Sequence, residues 1–206
     1  MITADHVSAG FDGSSLDNDR TAVVMADSYT KMINAYPKAS RGTDDVIEAC
    51  QQFVGPADKV GLFYTDGAQE LEAAAKKMEW RHDTSPPYRP QANGVAERAV
   101  RTITEGTMAF LKRSGIFHKF WPFAMRAFGA MRNVTISVAA GRNGLVKMHG
   151  ATRAGEIKPC PEEFGTPYFH KLGEDFKGKV LRFGQKITYL VETKRKTEEQ
   201  IGRAHV

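Results

Sequence analysis

Short apolar runs alternate with polar turns through the first 85 residues, and their period changes along the chain. Ile2 to Val7, Thr21 to Ala26 and Lys31 to Tyr36 are β-prone, with a Gly-, Ser- and Asp-rich turn at Asp12 to Asp19 and a second turn at Asp27 to Thr30. Connections this short predict an antiparallel meander. Thr43 to Val54 then takes a helical period, with Asp44 and Asp45 in the first turn, where negative charge suits the helix dipole. Val60 to Thr65 has the continuous apolar character of a buried strand, Ala68 to Met78 that of a second helix, and Trp80 to Thr84 that of a fifth strand. Three strands followed by helix, strand, helix, strand predict an α/β fold, a mixed five-stranded sheet with helices on its faces.

Ser85-Pro86-Pro87-Tyr88-Arg89-Pro90 cannot be regular structure, and Gln91-Ala92-Asn93-Gly94 offers capping groups for a long helix reaching about Arg113. Val100, Ile103, Phe110 and Leu111 share one side of that helix, and Glu97, Arg101, Thr104 and Met108 another. Phe120 to Asn133 is a further helix. Its Phe120-Trp121-Pro122-Phe123 cluster reads as core packing before it reads as a platform for stacked bases. Gly141 to Pro161 lacks periodicity and reads as a linker. Gly165 to Val191 has β character, with Ile187, Tyr189 and Val191 alternating, and Lys194-Arg195-Lys196 opens a polar tail. The expected organisation is a core over 1–133, a linker over 134–164 and a small β-rich basic region over 165–206.

Charge sharpens this picture. Residues 1–80 carry 7 Lys and Arg against 13 Asp and Glu, 81–133 carry 9 against 3, and 134–206 carry 13 against 8. An acidic segment followed by two basic ones suits a site that gathers cations at one spot and a polyanion around it, although an uneven solvated surface has the same sums. No apolar run approaches the roughly 20 residues of a membrane-spanning helix, and the opening residues lack the pattern of a signal peptide, so no membrane partner is expected. Cys50 and Cys160 are too few for a disulfide framework or a four-thiolate zinc site, which points to a reducing compartment. His6, His82 and His118 have no partner spacing and read as ordinary residues.

Four acidic residues could serve a cation site: Asp5 within the first strand, Asp27 after the second, Asp66 after the fourth, and Glu97 at the start of the long helix. A carboxylate inside an apolar strand, as Asp5 is, costs desolvation energy unless something pairs with it. Were the fourth strand to return beside the first, Asp5 and Asp66 would be neighbours, and the long helix could bring Glu97 to the same spot. Such hard oxygen donors suit magnesium or manganese, and two ions so held can support in-line phosphoryl transfer. Asp27 precedes Ser28-Tyr29-Thr30 and is more economically a turn residue. Taken singly, each of these carboxylates is as readily a solvated strand end or, for Glu97, a first-turn charge on the helix dipole.

The segment Ser85-Pro86-Pro87-Tyr88-Arg89-Pro90-Gln91-Ala92-Asn93-Gly94-Val95-Ala96-Glu97-Arg98 closely resembles the signature loop and helix start of retroviral and retrotransposon integrase catalytic cores, above all the Copia type. The resemblance extends through Tyr64-Thr65-Asp66-Gly67 and Ala26-Asp27-Ser28-Tyr29-Thr30-Lys31 to Thr3-Ala4-Asp5-His6-Val7, about residues 1–133. It implies a ribonuclease-H-like sheet in which Asp5, Asp66 and Glu97 bind Mg2+ or Mn2+ and are the catalytic residues. The implied reaction joins a 3′-hydroxyl DNA end to target DNA by direct transesterification. The resemblance further implies that Tyr88, Gln91 and Asn93 lie in a DNA-contacting loop hinged at Gly94, that Arg98 and Arg101 meet phosphates, and that the protein works as a multimer. A nuclear or cytoplasmic setting within a transposon polyprotein follows from the family alone. Phe183-Gly184-Gln185-Lys186-Ile187-Thr188-Tyr189 looks like a segment found downstream of Copia-type cores.

The sequence also departs from that pattern. Gly67-Ala68 follows Asp66 where Asn-Gly is usual, and the 30 residues between Asp66 and Glu97 fall short of the usual gap by roughly one helical turn. No His and Cys pairs form the family's amino-terminal zinc domain. Two rival readings therefore stand beside the integrase: a ribonuclease-H-like nuclease that cuts without joining, and a catalytically decayed, DNA-binding remnant of a transposon.

Overall fold

The computed structural model describes residues 1–8, 15–56, 58–86, 93–136, 138–139 and 164–187. The strands β1 (Ile2–Ser8), β2 (Thr21–Asp27) and β3 (Ile33–Lys38) form the expected antiparallel meander, with Asp5 opposite Val24 and Val24 opposite Ala35. After α1 (Thr43–Val54), the strand β4 (Phe63–Thr65) lies parallel to β1, Ile2 facing Phe63 and Ala4 facing Thr65. Helix α2 (Gln69–Lys77) leads to β5 (His82–Thr84), parallel to β4. The sheet order is β3-β2-β1-β4-β5, which puts the Asp5 strand in the middle.

Strand alternation sends successive β1 side chains to opposite faces, and each face has its own core. Ile2 and Ala4 pack with Val46, Cys50 and Phe53 of α1, and with Leu71 and Ala74 of α2. On the other face, Val24, Ala26 and Ala35 meet Ala99 and Ile103 of α3 (Gly94–Ser114), and Trp121, Ala124 and Met125 of α4 (Trp121–Thr135). A short 3-10 turn, His118–Phe120, joins these two helices.

The third strand begins two residues later than expected, because Lys31 adopts φ 62° and its N–H bonds the Asp27 carbonyl, which makes it a turn residue. Pro37 is accommodated because β3 is an edge strand. The fourth strand is shorter than Val60 to Thr65, since its partner β1 starts opposite Phe63. In the aromatic cluster Trp121 is fully buried, as expected, whereas Phe120 and Phe123 are 37% and 47% exposed.

Over 165–187, the described part of the carboxy-terminal region, the structure differs from the expected β character. Between 165 and 187 the structure has no strand beyond Phe164–Gly165 (β7), which pairs with Val138–Ala139 (β6), and it places helix α5 at Pro167–Leu172. Thr166 caps that helix by accepting from the Phe169 N–H at 3.1 Å, Pro167 suits its first turn, and Gly173 closes it at φ 78°. Local capping thus overrides the β character of the segment. Tyr189, Val191, the basic run 194–196, Cys160 and the 141–161 stretch lie outside the described residues.

Candidate metal and nucleic-acid site

Asp5 belongs to the odd-numbered residues of β1, the set that shares its face with Val24 and therefore looks toward α3. Asp66 follows Thr65 directly, one residue beyond the Ala4–Thr65 pair, so the two aspartates stand next to each other across adjacent parallel strands. Glu97 is exposed in the first turn of α3, above the same face. Asp5 responds to both of the other carboxylates. Asp5 is held above the ordinary carboxylate range by burial first, then by the Asp66 charge, with Glu97 adding to it, against the His6 N–H bond at 2.7 Å and the charge of Arg41. A cluster of like charges at a half-buried position is a place where a cation gains most.

The donor set fits a hard divalent cation by chemistry. Among the described residues, however, no three His, Cys, Asp or Glu side chains are gathered closely enough to hold one.

The other predicted residues divide. Asn93 caps α3 by position, but its side chain makes no capping hydrogen bond; it is 9% exposed, and Oδ1 has no partner among the described residues. Gly94 has open space where a Cβ would stand and no positive φ, so the backbone does not require glycine there. Arg101 is exposed on α3. Arg98 donates to the Gly94 carbonyl at 2.9 Å and lines a 280 Å³ cavity with Lys31 and Arg132 beside the β2–β3 turn. Tyr88 and Gln91 lie outside the described residues. Asp27 is a turn residue, as expected: its carboxylate accepts from Tyr29 N–H at 3.0 Å and from the Thr30 hydroxyl at 2.8 Å.

Sequence reasoning missed the charges on the far side of β1. His6 faces α2, with Nε2 3.4 Å from Glu70 Oε1, and burial pushes it below the ordinary histidine value despite the pull of Glu70. Arg41 reaches Ser8 Oγ at 2.5 Å and acts electrostatically on both Asp5 and His6. Only the even-odd alternation of β1 carried a hint of the His6 environment. Thr65 and His82 bond at 2.9 Å immediately before Asp66, tying β4 to β5.

Comparison with known structures matches the fold. The catalytic core domain of BIV integrase superposes with a TM-score of 0.50 at 17% identity, over 84% of this chain and 93% of that one. The fold is that of a retroviral integrase catalytic core. A simian T-cell lymphotropic virus intasome in complex with the PP2A regulatory subunit B56 gamma gives 0.53 at 16% identity, over 77% of this chain and 57% of that one. The HTLV-2 integrase catalytic core, in complex with magnesium in a trimeric form, gives 0.50 at 14%, over 66% and 85%. In sequence, the chain is 30% identical over 118 residues to the retrovirus-related Pol polyprotein from transposon RE1 of Arabidopsis thaliana, and 28% identical over 116 residues to that of RE2. Each match covers 53% of this chain and 8% of the polyprotein. No family model matches. The resemblance read from the Pro-Gln-Ala-Asn-Gly segment therefore holds at both levels, Copia-type polyprotein in sequence and integrase core in fold.

Proposed function

We propose that this chain is the catalytic core of a retrotransposon integrase, a polynucleotidyl transferase that joins DNA by metal-dependent phosphodiester transesterification. The observation that carries this reading is the sheet register, which sets Asp5 beside Asp66 under the first turn of the helix bearing Glu97. Asp5, Asp66 and Glu97 are the residues that would hold Mg2+ or Mn2+. Held there, a divalent cation would supply the charge that activates an attacking oxygen and stabilises the leaving one. The chain's own part is to fix the donors on a rigid strand pair and a helix start, and to present Arg98 and Arg101 to phosphates without reading sequence. Tyr88, Gln91 and Asn93 are proposed to contact DNA beside the site. That the structural relatives include an intasome, a magnesium complex and a trimeric form favours DNA, a divalent metal and self-association here too. A nuclear step follows from the same reading.

The spread of the carboxylates and the shortened Asp66-to-Glu97 gap favour one rival, the decayed DNA-binding remnant. A disintegration assay on branched DNA with manganese separates the two. The integrase reading expects product that vanishes in Glu97→Gln and Asp66→Asn. Absence of product from folded, DNA-binding protein would establish the remnant, and cutting without resealing would establish the nuclease.

A further inference from the structure

The turn Arg182-Phe183-Gly184-Gln185 is a built element fastened to the far end of α3. Gln185 N–H bonds the Arg182 carbonyl at 3.0 Å, and the Gln185 side-chain oxygen accepts from Arg182 N–H at 3.3 Å. Phe183 stacks on Phe110, centroids 5.9 Å apart and rings 19° from parallel. Gly184 adopts φ 77°, and a Cβ there would lie 2.6 Å from Ser114 Cβ, so both backbone and close approach require glycine. Between this turn, α3 and α4 opens a 690 Å³ groove with Phe110, Phe183 and Met131 in its walls and the exposed guanidinium groups of Arg113 and Arg182 also lining it.

Arg113 alone has a structural explanation, since a cation in the last turn of a helix suits its dipole. Arg182 comes from a separate segment and has no such explanation. Among the described residues, neither guanidinium forms an ion pair and no carboxylate lines the groove. Two unpaired cations beside an apolar aromatic wall match a nucleotide: phosphates for the guanidiniums, a base face for the rings. A duplex backbone needs only a basic surface, whereas a concave groove with aromatic walls admits an unpaired base.

We propose that this groove binds a single-stranded segment of the DNA substrate, its phosphates on Arg113 and Arg182 and a base against Phe183 and Met131. Arg113 lies sixteen positions beyond Glu97 on α3, about 24 Å along the helix, so the segment held there is remote from the reacting end. The inference rests on the integrase reading for the identity of the polyanion as DNA.

Fluorescence anisotropy with a labelled 12-nucleotide single strand, and with the duplex of the same sequence, tests it. The double variant Arg113→Ala/Arg182→Ala should bind the single strand about tenfold more weakly. Its log K against log salt slope should fall by about 1.4, two phosphates on a single strand. Duplex affinity should hold. Both side chains are exposed, so the variant should keep its circular dichroism and melting temperature. Unchanged single-strand affinity, or an equal loss on the duplex, overturns the proposal. Glu97→Gln in the same assays keeps the two readings apart: it should abolish disintegration and leave single-strand affinity intact. Failure of the groove leaves a positive disintegration result standing, and failure of disintegration leaves a positive groove result standing.

Discussion

Asn133, near the end of α4, grips the backbone of Ile33, a hundred residues earlier at the start of edge strand β3. Its Oδ1 accepts from the Ile33 N–H at 3.1 Å, and its Nδ2 donates to the Ile33 carbonyl at 3.0 Å and to Asn34 Oδ1 at 2.9 Å. One buried amide thus supplies to an edge strand the donor and acceptor that a sixth strand would have supplied. Asn133→Ala leaves two backbone groups without partners and should cost about 3 kcal/mol. Thermal denaturation should show a melting point lower by about 6–12 °C. A loss within error would mean that water replaces the amide freely.

The α3–α4 packing depends on Gly106. A Cβ there would lie 2.2 Å from Phe128 Cζ, and three ring atoms fall within 2.3 Å, because the ring lies over the glycine while meeting Phe110 edge-on. Gly106→Ala improves helix propensity by about 1 kcal/mol, yet the overpacking should outweigh it for a net loss of about 1–2 kcal/mol. Adding Phe128→Leu should recover part of that loss, and a double-mutant cycle by urea unfolding measures the coupling. Additive effects would show that the ring moves aside without cost.

Much of this was legible from the residues. The Thr43 to Val54 helix and the meander follow from period and connection length, whereas the return of the fourth strand beside the first entered only as a condition, and the structure supplies that parallel pairing. The Asn133–Ile33 contact was not legible, because its partners are a hundred residues apart and an asparagine near a helix end predicts capping as readily as a tertiary bond. The His6–Glu70 pair was hidden for a related reason: only the two-sided burial of β1 shows that neighbours in sequence, Asp5 and His6, face different cores. Between 165 and 187, β-prone composition gave way to the Thr166-Pro167 helix start.

Under the proposed integrase function, Asp5, Asp66 and Glu97 set function against stability. Asp66 raises the proton affinity of Asp5 through like-charge repulsion, so Asp66→Asn should abolish metal-dependent chemistry while slightly stabilising the metal-free fold. Partial exposure screens the repulsion, which limits the gain to about 1 kcal/mol or less. Parallel melts with and without manganese provide the check. The unaltered chain should gain stability from the metal and the variant should gain less, and an equal gain in both would remove Asp66 from the ligand set.

Cys50 is fully buried on the inner face of α1, and burial pushes its thiol from 9.0 up to about 12. The fold favours the protonated form. Above pH 9 the unfolded chain releases a proton that the native chain keeps, so this contribution is complete below pH 9 and is lost as the pH rises toward 12. The slope approaches about 1.4 kcal/mol per pH unit within that window. Tyr36, also raised to about 12 by burial, adds a second slope from pH 10 upward. Cys50→Ala should therefore lose less stability than the unaltered chain between pH 8 and 10.5, by about 1–2 kcal/mol in the unfolding free energy from urea titrations. In a Cys160→Ser background, Cys50 should resist a thiol reagent at pH 8 until the chain is unfolded. Rapid native labelling would show that the α1 face opens locally, and the flatter pH profile of Cys50→Ala would then disappear with it.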